Sequence, residues 1–167
     1  PALFTLALCR RLLGDLRQAI ADLEAYRERF GRDERAAQVA YQVGDLHARR
    51  GDLEAAVGAW REALDSAPEP PRLWLYHKPP GLRIGDACER REMAGEALAW
   101  YARAIAGPDP DDPFRLSALA RSAMLHEAAE SWTDALVAYR DLADHAQDPQ
   151  LASAAADRAA ELAAAIE

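Results

Sequence analysis

Apolar runs are short in this 167-residue sequence, and none approaches the roughly 18 residues a helix needs to cross a bilayer, so direct membrane insertion is not expected. Only two cysteines occur, Cys9 and Cys88, too few for a disulfide-stapled scaffold. Glycine is scarce at nine residues and phenylalanine at three, and β-branched residues do not cluster, which argues against an all-β fold. Positive charge is short as well. Twenty Lys+Arg against 28 Asp+Glu leave a formal net charge of −8, whereas a nucleic-acid partner needs a basic face. There is no Gly-rich phosphate loop, serine elbow or paired-cysteine zinc pattern. His126, Glu127 and Glu130 place a histidine near carboxylates, but a metallohydrolase helix needs a second histidine where Glu130 stands. The expectation is no enzyme, no catalytic residue, no cofactor and no metal.

Alanine is abundant: 39 residues, near a quarter of the chain, which points to closely packed helices. Self-similarity organises them. Gly14-Asp15-Leu16 recurs as Gly51-Asp52-Leu53, followed by Ala19-Ile20 and Ala56-Val57, with later echoes at Ala97-Leu98 and Ala135-Leu136. These alanines stand 37, 41 and 38 positions apart. Twelve positions before each is another small residue, Ala7, Gly44, Gly85 or Ala123, and four positions after each is a large one, Leu23, Trp60, Tyr101 or Tyr139. The arrangement predicts helical hairpins whose two helices cross closely at paired small residues, with the large residues filling the space between successive hairpins. Gly14 and Gly51 fall at the turns, where a left-handed backbone costs glycine least. Arg49-Arg50 and Arg90-Arg91 fall at the ends of first helices, where cations complement exposed carbonyls.

These residues resemble the tetratricopeptide repeat, whose pattern runs W-x₂-L-G-x₂-Y, A-x₃-F, P. The second repeat carries it as Ala40, Val43-Gly44, His47, Ala56, Trp60 and Pro68. The third carries Ile84-Gly85, Cys88, Ala97, Tyr101 and Pro108, its proline one place early. Looser copies are Leu6-Ala7, Ala19, Leu23 and Ala123, His126, Ala135, Tyr139, the last with Glu130-Ser131-Trp132 in place of the Gly-Asp turn. The resemblance implies an all-α fold, an α-solenoid of about four hairpins, and a protein or peptide as ligand. The map is a single array over 1–167, with hairpins at roughly 2–30, 36–67, 80–107 and 113–146, a proline- and aromatic-rich insertion at 68–80 and a capping helix at 149–166. Asp148 suits the cap of that last helix and Pro149 its first position, and Leu151, Ala155, Leu162 and Ile166 make one apolar stripe. A truncated fifth repeat is the competing account of it.

The insertion holds five of the ten prolines around Leu73-Trp74-Leu75-Tyr76-His77. Trp74 and Tyr76 are either packing residues of an early helical turn, or an exposed partner anchor or a lid over the groove. Cys9 and Cys88, a whole hairpin apart, are expected to be buried thiols out of disulfide reach.

The resemblance places a concave groove along the first helices. Gln38, Tyr41, Gln42, Asp45 and Arg49 lie on one face of the second repeat's first helix, opposite its packing residues. Their counterparts are Arg83, Asp86 and Arg90, then Ser117, Arg121, Met124 and Glu127, while the first repeat offers Phe4, Thr5, Leu8 and Arg11. Asp45 and Asp86 form one column; Gln42, Arg83 and Arg121 form another. On this reading arginines grip partner carboxylates while Tyr41, Leu8 and Met124 hold apolar anchors. In the competing one Arg83, Asp86 and Arg90 pair with one another along a solvated face. Chaperone-binding members of the family clamp a terminal carboxylate with lysine and asparagine; this chain has only Lys78 and no asparagine.

Three roles remain in view: a bacterial protein-binding scaffold, a sensor or regulatory module of a longer signalling protein, and a self-associating module joined through the array ends at Leu3, Phe4 and Leu6. Phe30–Ala37, leading into Ala40–Gly44, resembles repeat junctions of bacterial envelope-assembly tetratricopeptide proteins, and arginine's near-replacement of lysine suits a GC-rich bacterial genome. The start at Pro1 reads as a processed or excised chain. Thr5–Cys9 looks like a lipoprotein cleavage site but lacks a basic segment ahead of it and a small residue at Leu8. Bacterial cytoplasm and periplasm both stay open.

Overall fold

A computed structural model describes residues 2–30, 35–66 and 78–166. Among these are nine α-helices and no strand: α1 (Ala2–Leu12), α2 (Leu16–Phe30), α3 (Ala36–Arg49), α4 (Leu53–Asp65), α5 (Pro80–Arg90), α6 (Ala94–Ile105), α7 (Pro113–Ala128), α8 (Trp132–His145) and α9 (Pro149–Ile166). They fall into two compact units. Pro1–Ala87 holds α1 to α4 and most of α5; Cys88–Glu167 holds the end of α5 and α6 to α9. Trp74 and Tyr76 lie outside the described residues.

The first helix of every hairpin ends in the same way. The amides of Asp15, Asp52, Met93 and Ser131 reach back five residues to the carbonyls of Arg10, His47, Cys88 and His126 at 2.8–3.0 Å. The preceding residue, in the left-handed region, donates to the carbonyl three before it. This is the Schellman closure, which satisfies carbonyls that a helix end otherwise leaves orphaned. Gly14 and Gly51 supply the left-handed residue at φ 82° and 84°. Glu92 and Glu130 supply it in the other two hairpins at φ 60° and 57°. The turn geometry is thus repeated four times, although glycine marks only half of the copies. Second helices then start on caps where one is present: Asp15 accepts from the Gln18 amide and Asp52 from the Ala55 amide, both at 3.2 Å.

The small residues of the pattern are buried. Ala7, Ala19, Ala56, Ala97, Ala123 and Ala135 are each at most 1% exposed, and Gly44 and Gly85 are buried. A Cβ added to Gly44 would fall inside the indole of Trp60. The large residue one turn later reaches both its own hairpin and the next. Trp60 lies over Gly44 of its own hairpin, where glycine leaves room for a ring, and its other neighbour is Arg83 of the next hairpin's first helix.

The core of the first unit joins Phe4, Ala7, Ile20, Leu23 and Tyr26 of α1 and α2 to Val39, Val43 and Leu46 of α3. Phe4, expected on the groove, is instead buried beside Tyr26, ring centroids 5.9 Å apart. The second unit packs Leu116, Leu119 and Ala123 of α7 with Ala138 and Leu142 of α8 and Ala155 of α9. Asp112 caps α7 ahead of Pro113, and the Asp148 carboxylate accepts from the Gln150 amide at 2.9 Å to start α9. In α9 the buried stripe is Ala155, Ala159 and Leu162, while Leu151 and Ile166 are exposed. Cys88 is buried, but Cys9 is exposed, contrary to expectation, because no described helix covers the outer side of α1.

Candidate functional site

In the first unit the predicted residues of α3 and α5 meet in one polar cluster. Tyr41, 5% exposed, donates its hydroxyl hydrogen to the Lys78 carbonyl at 2.8 Å and accepts from Arg83 Nε at 2.9 Å. Arg83 also lies 3.3 Å from the Asp45 carboxylate, and its guanidinium stands over the rings of Tyr41 and Trp60, 5.5 and 5.9 Å from their centroids. Trp60 Nε1 donates to Asp45 Oδ1 at 3.1 Å. Asp86 pairs with Lys78. Burial, and secondarily the neighbouring Asp45 charge, push the Tyr41 phenol above its ordinary 10.0, with Arg83 opposing them.

The predicted partners Arg83 and Asp86, three residues apart, thus go separately: Arg83 pairs across to α3, and Asp86 pairs with Lys78 just ahead of α5. An arginine so engaged is a fixture of the hairpin junction as much as a hand for a ligand. Gln38 and Gln42 are half-buried on the same helix face, and the Gln42 carbonyl oxygen is buried with no hydrogen-bond partner. Arg49 is exposed at the end of α3.

The predicted residues of the second unit occupy two clusters. Glu89 of α5 accepts from the Tyr101 hydroxyl at 2.8 Å and from Arg121 at 3.0 Å. Glu127 of α7 accepts from the Tyr139 hydroxyl at 3.0 Å and is gripped by Arg158 of α9. The Arg158 hydrogen bond is the main reason the Glu127 carboxyl titrates below its ordinary 4.5. Tyr139 is moved upward from 10.0, first by burial and then by Glu127. Met124 is 63% exposed and Arg90 is exposed.

Sequence reasoning missed Lys78, Glu89 and Arg158, and it missed what the large residues do at their tips. Trp60, Tyr101 and Tyr139 each hydrogen-bond a carboxylate on the first helix of their own hairpin. A carboxylate 12 or 15 positions before an aromatic of this column was the available signal. His47 and His126 are partly buried, with aspartate oxygens at 3.5 and 4.0 Å. Among the described residues no group of three or more His, Cys, Asp or Glu is placed to hold a metal ion.

The sequence model of the tetratricopeptide repeat matches residues 1–33. No curated protein matches the chain in sequence. Among solved structures, a tetratricopeptide repeat protein from Parabacteroides merdae ATCC 43184 superposes on 98% of this chain with TM-score 0.79 at 14% identity; the chain spans only 59% of that protein's length. YrrB, described as a TPR protein with an unusual peptide-binding site, matches 96% of this chain and 80% of its own, with TM-score 0.67 at 17% identity. The MamA RS-1 ArsTM double mutant matches 99% and 95%, with TM-score 0.68 at 16% identity. These likenesses establish the fold as the all-α repeat solenoid.

Proposed function

The chain folds as a tetratricopeptide repeat protein, and we propose that it is a non-enzymatic interaction module whose first-helix faces hold a partner polypeptide. In the first unit the face is Gln38, Tyr41, Gln42, Asp45 and Arg49 with Arg83 and Asp86; in the second it is Arg90, Arg121, Met124 and Glu127. The unpartnered Gln42 oxygen carries the reading. A buried acceptor without a donor costs about 1–3 kcal/mol, and a turn of the half-buried Gln42 side chain outward would let a partner's backbone N–H satisfy it. The fold's likeness to YrrB, a protein with a peptide-binding site, supports a peptide as the ligand class.

The ligand-gripping roles shift within the predicted set. Arg83 and Arg121 hold the protein's own carboxylates, so they shape the surface. Arg49 and Arg90, exposed and without an ion pair among the described residues, are the cations available to a partner's acidic groups.

Gln42→Leu tests the reading. It removes the orphaned acceptor, so thermal stability holds or rises, while an affinity-captured partner is lost. A variant that retains the wild-type set of co-purifying polypeptides, alone and combined with Arg49→Glu, refutes the assignment of this face. Arg83→Glu is the poorer probe, since it would disturb Tyr41, Asp45 and Trp60 together.

A further inference from the structure

A three-part polar link recurs where one hairpin's first helix meets the next. Asp45 of α3 accepts from the Trp60 indole at 3.1 Å and lies 3.3 Å from Arg83 of α5. Glu89 of α5 accepts from the Tyr101 hydroxyl at 2.8 Å and from Arg121 of α7 at 3.0 Å. Glu127 of α7 accepts from the Tyr139 hydroxyl at 3.0 Å and pairs with Arg158 of α9. Each link joins a carboxylate, an aromatic donor from the same hairpin, and an arginine from the helix that follows in register. The arginines share one place in the repeat, Arg121 standing 38 positions after Arg83 and Arg158 37 after Arg121. Glu89 and Glu127 share another, four positions after Gly85 and Ala123, while Asp45 comes one position after Gly44.

Between α1 and α3 every part is replaced. The two carboxylate places in α1, one and four positions after Ala7, hold Leu8 and Arg11. Leu23 holds the place of the aromatic donor, and Gln42, 41 positions before Arg83, that of the arginine. The helices are neighbours all the same, sharing one core through Phe4, Ala7, Val39 and Val43. What this junction lacks is a carboxylate. Arg11 is half-buried and makes no ion pair among the described residues, and the Gln42 carbonyl oxygen is buried with no donor.

We propose that the junction is a subsite for an acidic residue of the bound segment. The carboxylate of an aspartate or glutamate seats on Arg11, and the backbone N–H of that residue reaches the Gln42 oxygen. This rests on the reading of the first-helix face as the partner surface, and adds the chemistry of one partner residue. A guanidinium calls for an acceptor and the amide oxygen for a donor, and one acidic residue carries both. The distribution of charge favours the same unit. Pro1–Ala87 holds 13 Lys+Arg and 13 Asp+Glu, so the −8 of the chain falls entirely in Cys88–Glu167, with 7 against 15. An acidic segment is repelled by the net charge of the second unit and not by that of the first.

A synthetic library of short randomised peptides, acetylated and amidated so that every carboxylate belongs to a side chain, tests the subsite on the whole chain. Peptides retained by the wild type are expected to be enriched in Asp or Glu at one position. Arg11→Gln should weaken those binders by about tenfold or more and reduce their dependence on salt. Arg11→Glu should turn the preference at that position to Lys or Arg. The melting temperature of Arg11→Gln should fall by no more than about 4 °C, the loss of one cation near a helix end. Binders that are lost on Gln42→Leu but show no acidic preference, or that hold Arg11→Gln as tightly as the wild type, overturn the subsite and leave the interaction face standing. A library that yields no binder dependent on Gln42 overturns both.

Discussion

Glu92 and Glu130 close their hairpins in a backbone region where a side chain is crowded by the following carbonyl, at a cost of about 1–2 kcal/mol that glycine avoids. Both hold it because the Schellman hydrogen bonds around them satisfy the ends of α5 and α7. Glu130→Gly, giving the fourth turn the residue used at Gly14 and Gly51, is expected to raise the melting temperature by about 2–4 °C in a calorimetric scan. An unchanged or lower value would mean that the glutamate conformation carries no penalty. The same scale explains why half of the turns were hidden in the sequence. Glycine announces a left-handed residue, whereas glutamate is placed there only by the helices on either side. The Arg83 cluster was hidden for a related reason: its partners Tyr41, Asp45 and Lys78 become neighbours only through the junction of α3 and α5.

At the scale of elements, α9 shows how a terminal helix is held. Its buried residues Ala155, Ala159 and Leu162 each stand 37 positions after Ala118, Ser122 and Leu125 of α7, so it sits in the register of a fifth first helix while covering α8. Its start was legible from Asp148 and Pro149, and its partner was not, since nothing in the spacing joins Arg158 to Glu127 across 31 residues. That pair makes α9 docking sensitive to acid. The folded-state titration of Glu127 lies below the ordinary 4.5, so its contribution is complete above pH 4.5 and is lost as pH falls through the lowered value. Hydrogen exchange of α9 amides, measured from pH 6 downward, is expected to accelerate relative to α7 in that range. Arg158→Leu should remove the pH dependence of the difference, and a dependence that survives the substitution would assign it to another group.

For the whole molecule, one rule recurs: a buried small residue on the first helix is followed twelve positions on by a second buried small residue, and a large side chain comes one turn later. Because the rule depends on spacing alone, an all-α fold of repeated helical hairpins was readable in advance. What fills the surface left over was less readable, since ion pairing is decided by which helices become neighbours and not by where residues stand in the chain. Two alanine substitutions within one hairpin put the rule itself at risk. Gly58 lies exposed within α4 with open space around an added Cβ, so Gly58→Ala should stabilise by up to about 1 kcal/mol through helix propensity. Gly44 is buried against a Trp60 ring that is only 3% exposed, so Gly44→Ala should cost about 1–3 kcal/mol through overpacking despite the same gain in propensity. Thermal unfolding of the two variants side by side is the most direct measurement: opposite shifts, Gly58→Ala upward and Gly44→Ala downward, are the predicted result, and a Gly44→Ala protein as stable as Gly58→Ala would contradict the crossing that underlies the repeat.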